Sequence, residues 1–217
     1  MEWLGWIILG VLFWHAVFLI VMWLKMIEET GYKVVRGLLS KETAEVIGIQ
    51  MRLTAERDYE FGFNNLPDNV NDSFSLYSSP TTDAIIIYLK KKVEEETGKQ
   101  LSPTYSFARQ YYLENIMDRH TDRDACEYSV TLNLWNEKEP YPIYVRNLQG
   151  YDAEVYLEPG DAVIYKGCEV DHWRDINRHG RMVQVFLHYV DKNGPFASEA
   201  EFESNERNAT KLFREYI

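Results

Sequence analysis

The sequence predicts a mainly β fold with flanking α-helices, arranged as an antiparallel barrel or jelly roll behind N-terminal supporting helices. Short strand-forming runs follow one another after Leu101, and turn signals such as Pro159-Gly160 divide them. No helical pattern separates these runs, which is typical of an antiparallel barrel or jelly roll. The strands are predicted at 105–113, 127–135, 143–145, 153–157, 162–165 and 181–190.

The first residues differ in composition from the rest of the chain. Residues 3–24 are apolar apart from His15, and a helix of this length can cross a hydrocarbon core of about 30 Å. The acidic Glu2 precedes the run, whereas a cleaved signal peptide begins with a basic region. We therefore expect a single-pass transmembrane anchor at 1–27 and one globular domain at 28–217, with its jelly-roll core at about 101–192.

The charges that follow this apolar run predict an orientation. Lys25, Lys33 and Arg36 come after it, which favours a cytoplasmic globular domain under the positive-inside rule. Three charges are weak support for an orientation, so a lumenal position of the globular domain is also possible. The expected localisation is a membrane, with the side undecided.

The supporting elements come before the predicted barrel. A short strand is expected near 33–36, and Ser40 is a suitable N-cap for a helix at 41–57. Residues 61–80 are rich in Asn, Asp, Ser and Pro, which predicts a surface loop, and its part at 64–79 is a hypothetical lid. An amphipathic helix is predicted at 82–97, closed by Gly98. A short helix is expected near 209–216.

Charge and cysteine content exclude some classes of function. The formal net charge of -11 argues against a nucleic-acid partner, because such surfaces need clustered Lys and Arg. Only Cys126 and Cys168 are present, so there is no disulfide framework. Their spacing also matches no zinc module.

His120-Thr121-Asp122 is the first candidate for a metal site. In an extended chain, side chains two residues apart project from the same face, so the imidazole and the carboxylate could meet one ion. A charged turn before the next strand explains the same residues. A metal would need a further ligand from downstream.

Three downstream histidines could supply that ligand. His172 is followed nine residues later by Arg181, whereas His179 lies in a turn pattern and His188 alternates with apolar residues of the last strand. Two imidazoles and one carboxylate, with the other positions open, is the ligand set of non-haem Fe(II) oxygenases.

The ordered segments YSFARQYYLENIMDRHTDRDACEYSVTLNLW, LEPGDAVIYKGCEVDHWRD and RMVQVFLHYVDKNGP resemble the Fe(II)- and 2-oxoglutarate-dependent dioxygenases. The resemblance is to domains like the catalytic domain of the prolyl 4-hydroxylase α-subunit, and it covers about residues 31–195. It implies a double-stranded β-helix form of the jelly roll. It also implies Fe(II), 2-oxoglutarate and O2 as cofactors and co-substrates, and it leaves ascorbate open as a further cofactor.

The resemblance assigns roles to particular residues. It implies that His120, Asp122 and His172 are the iron ligands and that Arg181 pairs with the distal carboxylate of 2-oxoglutarate. Tyr111 matches the position whose hydroxyl assists that carboxylate, and Tyr112 competes with it for the role. Three further polar residues are expected to line the pocket: Arg109, Asn133 and Arg174. Each of them could equally be a surface residue or a member of an ion pair.

The implied activity is hydroxylation of a protein or peptide side chain, with prolyl residues first. Glu114-Asn115-Ile116 stands where the family commonly has a glycine, and no proline-rich substrate groove is recognisable. Hydroxylation of another side chain or of a small metabolite therefore stays open, as does a catalytically silent, membrane-tethered interaction module. The sequence does not predict an oligomeric state.

Overall fold

The structure is a computed structural model, and it describes residues 12–15, 26–60, 70 and 72–217. The strands are β1 (Tyr32–Val35), β2 (Phe74–Tyr77), β3 (Leu101–Tyr111), β4 (Met117–His120), β5 (Tyr128–Asn136), β6 (Ile143–Arg146), β7 (Asp152–Val155), β8 (Ala162–Lys166), β9 (His172–Arg174) and β10 (Met182–Asp191). The helices are α1 (Lys41–Glu60), α2 (Pro80–Thr97), α3 (Glu199–Glu206) and α4 (Lys211–Arg214), with a 3-10 turn at Asp124–Cys126.

The strands form two antiparallel sheets. The larger sheet has the order β1-β8-β5-β10-β3-β2, and the smaller has the order β4-β9-β6-β7. From β3 to β10 the chain passes repeatedly between the two sheets, so each sheet is built from strands distant in sequence. The predicted mainly β jelly roll is confirmed.

Strand β10 shows how the sequence divides the interior into two layers. Val183, Val185 and Leu187 belong to the main core, in which α1 and α2 pack on the larger sheet. The alternate residues Met182 and Phe186 belong to a smaller apolar cluster on the other face of the strand. Because side chains alternate along a strand, one strand serves both the helix-covered core and the space between the sheets.

Helix α2 supports the larger sheet from the side of the main core. The side chain of Ser79 accepts a hydrogen bond from the backbone N–H of Thr82 at 3.2 Å and caps the first turn. Gly98 ends the helix at φ 70°, a left-handed conformation that glycine adopts without a steric penalty. The helix buries Ile86, Leu89 and other apolar residues of one stripe, as its sequence pattern predicts.

The structure differs from the sequence prediction at short elements. Strand β2 lies inside the stretch predicted as a loop, and α3 lies in the tail predicted to hold one short helix. Strands β4 and β9 were not predicted, because these runs of four and three residues are both short and mostly polar. Residues 64–69 and 71 of the hypothetical lid at 64–79 lie outside the described residues, and the described part of that stretch contains β2.

The predicted membrane localisation needs correction. Within the part of the chain that the structure describes, no helix has the length and apolar character needed to cross a bilayer, so a single-pass anchor is not supported. Of the predicted span at 3–24, only residues 12–15 belong to the described part.

Candidate metal centre and its cavity

The pairing of the two short strands brings two predicted ligands together. In the antiparallel pair β4 and β9, His120 lies directly opposite His172. Their ring centroids are 4.3 Å apart. Asp122 follows β4, and its backbone N–H donates to the carbonyl of Gly167 at 2.8 Å, which fixes the chain beside the strand end. Residues distant in sequence thus meet at one end of the smaller sheet.

Three ligand atoms converge between these side chains. Asp122 Oδ1 lies 3.8 Å from His120 Nε2 and 3.6 Å from His172 Nε2. The three ligand atoms of this group lie within 4.8 Å of one another. These separations are longer than hydrogen bonds and suit three atoms bound to one ion placed between them.

The hydrogen bonds of the imidazoles determine which ring nitrogens can bind a metal. His120 Nδ1 lies 2.7 Å from the carbonyl oxygen of Asp118, and His172 Nδ1 lies 3.1 Å from that of Val170. A carbonyl can only accept, so each Nδ1 carries the proton and each Nε2 presents a lone pair. Two nitrogen lone pairs therefore face a carboxylate oxygen, and a cation between them would relieve the mutual repulsion.

Burial favours the neutral form of the second histidine, His172. The side chain of His172 is 3% exposed, and this burial lowers its pKa, although Asp122 acts in the opposite direction. A neutral imidazole is the form that binds a metal. The donor set therefore fits a divalent transition metal, and the candidate ligands are the ones that the resemblance implies.

A cavity of about 180 Å³ opens beside the three ligand atoms. Its walls combine aromatic side chains with one arginine and one further histidine, and the residues other than the three candidate ligands are Tyr105, Phe107, Arg109, Met117, Tyr165, Phe186 and His188. The metal side of the cavity is polar, and much of the remaining wall is aromatic. Such a wall excludes water from an apolar group placed near the metal.

Arg109 is the cation of this cavity. Its side chain on β3 is buried, and its Nη1 donates to the hydroxyl of Tyr111 at 3.3 Å. The guanidinium carbon lies 5.2 Å from the ring centre of Phe107 and 5.8 Å from that of Phe186. Packing against flat rings holds the guanidinium in one orientation, as expected for a group that recognises a carboxylate.

Two other residues predicted for the co-substrate site lie elsewhere. Arg181 does not line the cavity: its side chain is 37% exposed and pairs with Glu137 at 3.0 Å. Asn133 is buried, but its amide donates to the carbonyl of Leu157 at 2.5 Å and supports the turn before β8. The structure therefore does not bring either side chain to the metal ligands.

The two tyrosines predicted for the co-substrate have different positions. Tyr111 is fully buried, and its ring contacts that of Tyr141 edge-on at 5.5 Å. The hydroxyl of Tyr112 accepts instead from the side chain of Gln110 at 2.9 Å. Tyr111 contacts Arg109, the arginine of the cavity, whereas the hydroxyl of Tyr112 contacts Gln110. Of the two tyrosines, Tyr111 is therefore better placed to assist a carboxylate bound in the cavity.

Arg174, which the sequence predicted for the pocket, lies against the rings of Tyr111 and Tyr141. It is fully buried on β9, and its Nη1 donates to the carbonyl of Tyr141 at 2.6 Å. Its Nη2 donates to the side chain of Gln184 at 2.5 Å. These contacts tie β9 to its neighbours, and the arginine does not line the cavity.

The sequence interpretation missed most of the cavity wall. Tyr105, Phe107 and Arg109 are two positions apart along β3, so strand periodicity alone could have placed them on one face. His188 was interpreted as a core residue, and it is buried but also lines the cavity. The inward face of a strand depends on register, which one sequence does not reveal.

A second group of possible ligands shares the same carboxylate. Asp122, Cys126 and His188 also offer ligand atoms within 4.8 Å of one another. Cys126 Sγ, however, lies 3.1 Å from the hydroxyl of Tyr105, and His188 Nδ1 lies 2.9 Å from Ser129 Oγ. Burial also raises the pKa of the Cys126 thiol. Because Cys126 Sγ and one ring nitrogen of His188 are already in hydrogen bonds and the thiol is protonated, the group in which both histidines present an Nε2 lone pair fits a metal better.

Comparison with known proteins establishes the fold. A prolyl 4-hydroxylase from Pseudomonas putida superimposes with a TM-score of 0.61 at 13% identity, over 79% of this chain and 98% of that one. A prolyl hydroxylase from Trichoplax adhaerens, solved with a hypoxia-inducible-factor peptide fragment, has a TM-score of 0.59 at 12% identity, over 85% and 92%. The chain has the fold of the 2-oxoglutarate- and Fe(II)-dependent oxygenases.

The same fold occurs in a protein solved with a metal and a keto acid. HygX from Streptomyces hygroscopicus, with nickel and 2-oxoglutarate bound, has a TM-score of 0.60 at 12% identity, over 79% of this chain and 87% of that one. No family model matches the sequence, and no curated protein matches it. At these identities the similarity shows only the fold of the chain. Its chemistry has to be inferred from the residues of the site.

Proposed function

We propose that this protein is a 2-oxoglutarate- and Fe(II)-dependent oxygenase. The convergence of His120 Nε2, Asp122 Oδ1 and His172 Nε2 carries the proposal, because three lone pairs meet without a hydrogen between them. Two imidazoles and a carboxylate leave coordination positions open, as oxygen-activating iron requires. Iron bound there would supply dioxygen activation coupled to the conversion of 2-oxoglutarate to succinate and CO2.

The chain's own residues would orient the co-substrate. Arg109 presents a guanidinium to the same cavity as the ligands, and a guanidinium can donate two parallel hydrogen bonds to a carboxylate. Tyr111, in contact with that guanidinium, would hold it in place. The role expected for Arg181 stays a prediction, and the geometry favours Arg109 as the alternative.

The proposed substrate is a protein or peptide side chain, with the prolyl ring first. Tyr105, Phe107 and Phe186 give the cavity an aromatic wall that suits a small apolar ring. Two of the similar structures are prolyl hydroxylases, and one of them holds a peptide. HygX, which is also solved with hygromycin B, supports a small-molecule substrate as the second candidate.

Metal binding and succinate release test the proposed reaction. Fe(II) is titrated anaerobically into the wild type, His172→Ala and His179→Ala, and succinate release is then measured with 2-oxoglutarate and air. His179 stacks on Tyr141 outside the cavity and is the matched histidine control. We expect His172→Ala alone to lose iron binding and succinate release. Equal iron binding in all three proteins would refute the proposed metal site.

The substrate is tested separately. Peptide libraries with single prolyl residues and a panel of aminoglycosides are incubated with the iron-loaded protein, and mass spectrometry detects the addition of one oxygen. Oxidation of peptides alone supports the first candidate, and oxidation of the small molecules alone supports the second.

A further inference from the structure

The two oxygens of the Asp122 carboxylate have different surroundings. Oδ1 faces the two imidazoles, whereas Oδ2 accepts a hydrogen bond from the hydroxyl of Ser129 at 2.8 Å. Ser129 lies on β5 and is fully buried. One oxygen is thus directed at the metal position and the other is held away from it.

The proton count around Ser129 fixes the direction of each hydrogen bond. Its hydroxyl has one proton, which it donates to Asp122 Oδ2, with the carbonyl of Cys126 as a second, longer acceptor at 3.2 Å. His188 Nδ1, 2.9 Å from the same hydroxyl oxygen, must therefore be the donor in that contact. The result is a directed chain of hydrogen bonds from His188 through Ser129 to the carboxylate.

A glycine makes room for this chain. A Cβ at Gly167 would lie 2.7 Å from Asp122 Oδ2 and 2.7 Å from Ser129 Oγ. The carbonyl of the same glycine accepts the backbone N–H of Asp122. Side chain and backbone of the aspartate are therefore held from one side by β5, β10 and the turn after β8.

We propose that Ser129 and His188 are positioning residues that keep Asp122 a one-oxygen ligand. This inference rests on the proposed function and concerns the same metal. A carboxylate can bind a metal through one oxygen or two, and the second mode fills one more coordination position. With Oδ2 engaged by Ser129, that position stays open for the bidentate keto acid. Outer hydrogen bonds of this kind change metal-site properties by about 10–100-fold.

The test compares Ser129→Ala with two matched variants. Ser129→Thr retains the hydroxyl, and Ser106→Ala removes another fully buried serine, whose hydroxyl donates to Asp83 Oδ1 at 2.8 Å outside the cavity. Fe(II) affinity is measured anaerobically by calorimetry for each protein. The affinity of the iron-loaded form for 2-oxoglutarate is measured by the charge-transfer absorption of the chelate. Thermal melting establishes that each variant is folded.

We expect Ser129→Ala to bind 2-oxoglutarate about tenfold more weakly. Its Fe(II) affinity should fall by less, because Asp122 Oδ1 and the two imidazoles are unchanged. Ser129→Thr and Ser106→Ala should both retain 2-oxoglutarate affinity. An unchanged affinity for 2-oxoglutarate in Ser129→Ala overturns the inference, and so does a loss confined to Fe(II) affinity. If the wild type itself binds no Fe(II), the proposed function fails instead, so the two failures are distinguishable.

A second pair of variants, at His188, tests the inference without changing Ser129, in case Ser129→Ala does not fold. In His188→Asn the amide nitrogen can replace Nδ1 as the donor to the serine, whereas His188→Leu has no donor. The inference requires that His188→Leu lose more 2-oxoglutarate affinity than His188→Asn at equal Fe(II) affinity. Equal losses in both variants would contradict it.

Discussion

Replacing Arg109 by methionine tests the proposed carboxylate site most directly. The change retains an unbranched, apolar side chain between Phe107 and Phe186 but removes the guanidinium. A hydrogen bond to a charged group contributes about 1.5–3 kcal/mol. The contributions of two parallel hydrogen bonds to one carboxylate are not fully additive, so we expect the variant to lose about 3 kcal/mol of binding free energy for 2-oxoglutarate. This loss corresponds to an affinity about 100-fold lower.

Arg181→Met is the control for this experiment. Arg181 is half-exposed and pairs with a surface glutamate, and such pairs contribute about 0–1 kcal/mol. The iron-loaded proteins are titrated anaerobically with 2-oxoglutarate, and thermal melting is followed in parallel. We expect a large loss of affinity in Arg109→Met and less than about a twofold change in Arg181→Met. A large loss in Arg181→Met with none in Arg109→Met would refute the assignment and restore the expectation from the sequence.

Three further predictions concern packing and pH. Gly167→Ala should weaken Fe(II) binding by about tenfold or more, because its Cβ would clash with the carbonyl oxygen of Cys126, would lie 2.7 Å from Asp122 Oδ2 and would shift both. Calorimetry on the variant, with thermal melting to establish that it is folded, measures this, and wild-type affinity would contradict it. Leu89→Ala should lower the free energy of unfolding in urea by about 2–5 kcal/mol, because Leu89 is fully buried under the larger sheet; a loss below about 1 kcal/mol would contradict the packing. Burial raises the pKa of Glu203, but hydrogen bonds from Arg123 and Tyr77 outweigh it, so the carboxyl pKa lies below its usual value. Glu203 therefore stabilises the fold above about pH 4.3, its unfolded pKa, and that stability is lost as the pH falls through the lower folded pKa. Urea unfolding from pH 6 to 3 should show a smaller loss in Glu203→Gln than in the wild type, and parallel curves would contradict the assignment.

The sequence predicts long elements well because their patterns repeat. Helix α2 shows a full apolar stripe, a serine cap and a closing glycine, and each strand of the larger sheet after β2 is long enough or apolar enough to recognise. Strands β4 and β9 have neither property, since Met117–His120 and His172–Arg174 are short and mostly polar. These strands are defined by pairing, β4 with β9 and β9 also with β6, and such long-range contacts are not contained in a local pattern.

The candidate site divides in the same way. His120 and Asp122 are close in sequence, so their cooperation could be proposed from spacing. Arg109 and Arg181 could not be separated by spacing, because the choice depends on which residues of β3 and β10 face the cavity. Ser129 gave no signal at all, since a buried serine in a strand has no distinctive sequence context. Its role becomes visible only when its three hydrogen-bonding neighbours are placed around it.

The direct pairing of His120 with His172 has a consequence for assembly of the protein. The strands that carry the two histidines are separated in the sequence by β5 to β8, which contribute to both sheets before β9 pairs with β4. A nascent or partly unfolded chain therefore has no place that gathers all three ligands. Metal capture should accompany the pairing of β4 with β9, and an ion bound there would join the edge strand β4 to β9, which β6 and the contacts of Arg174 already hold in the smaller sheet.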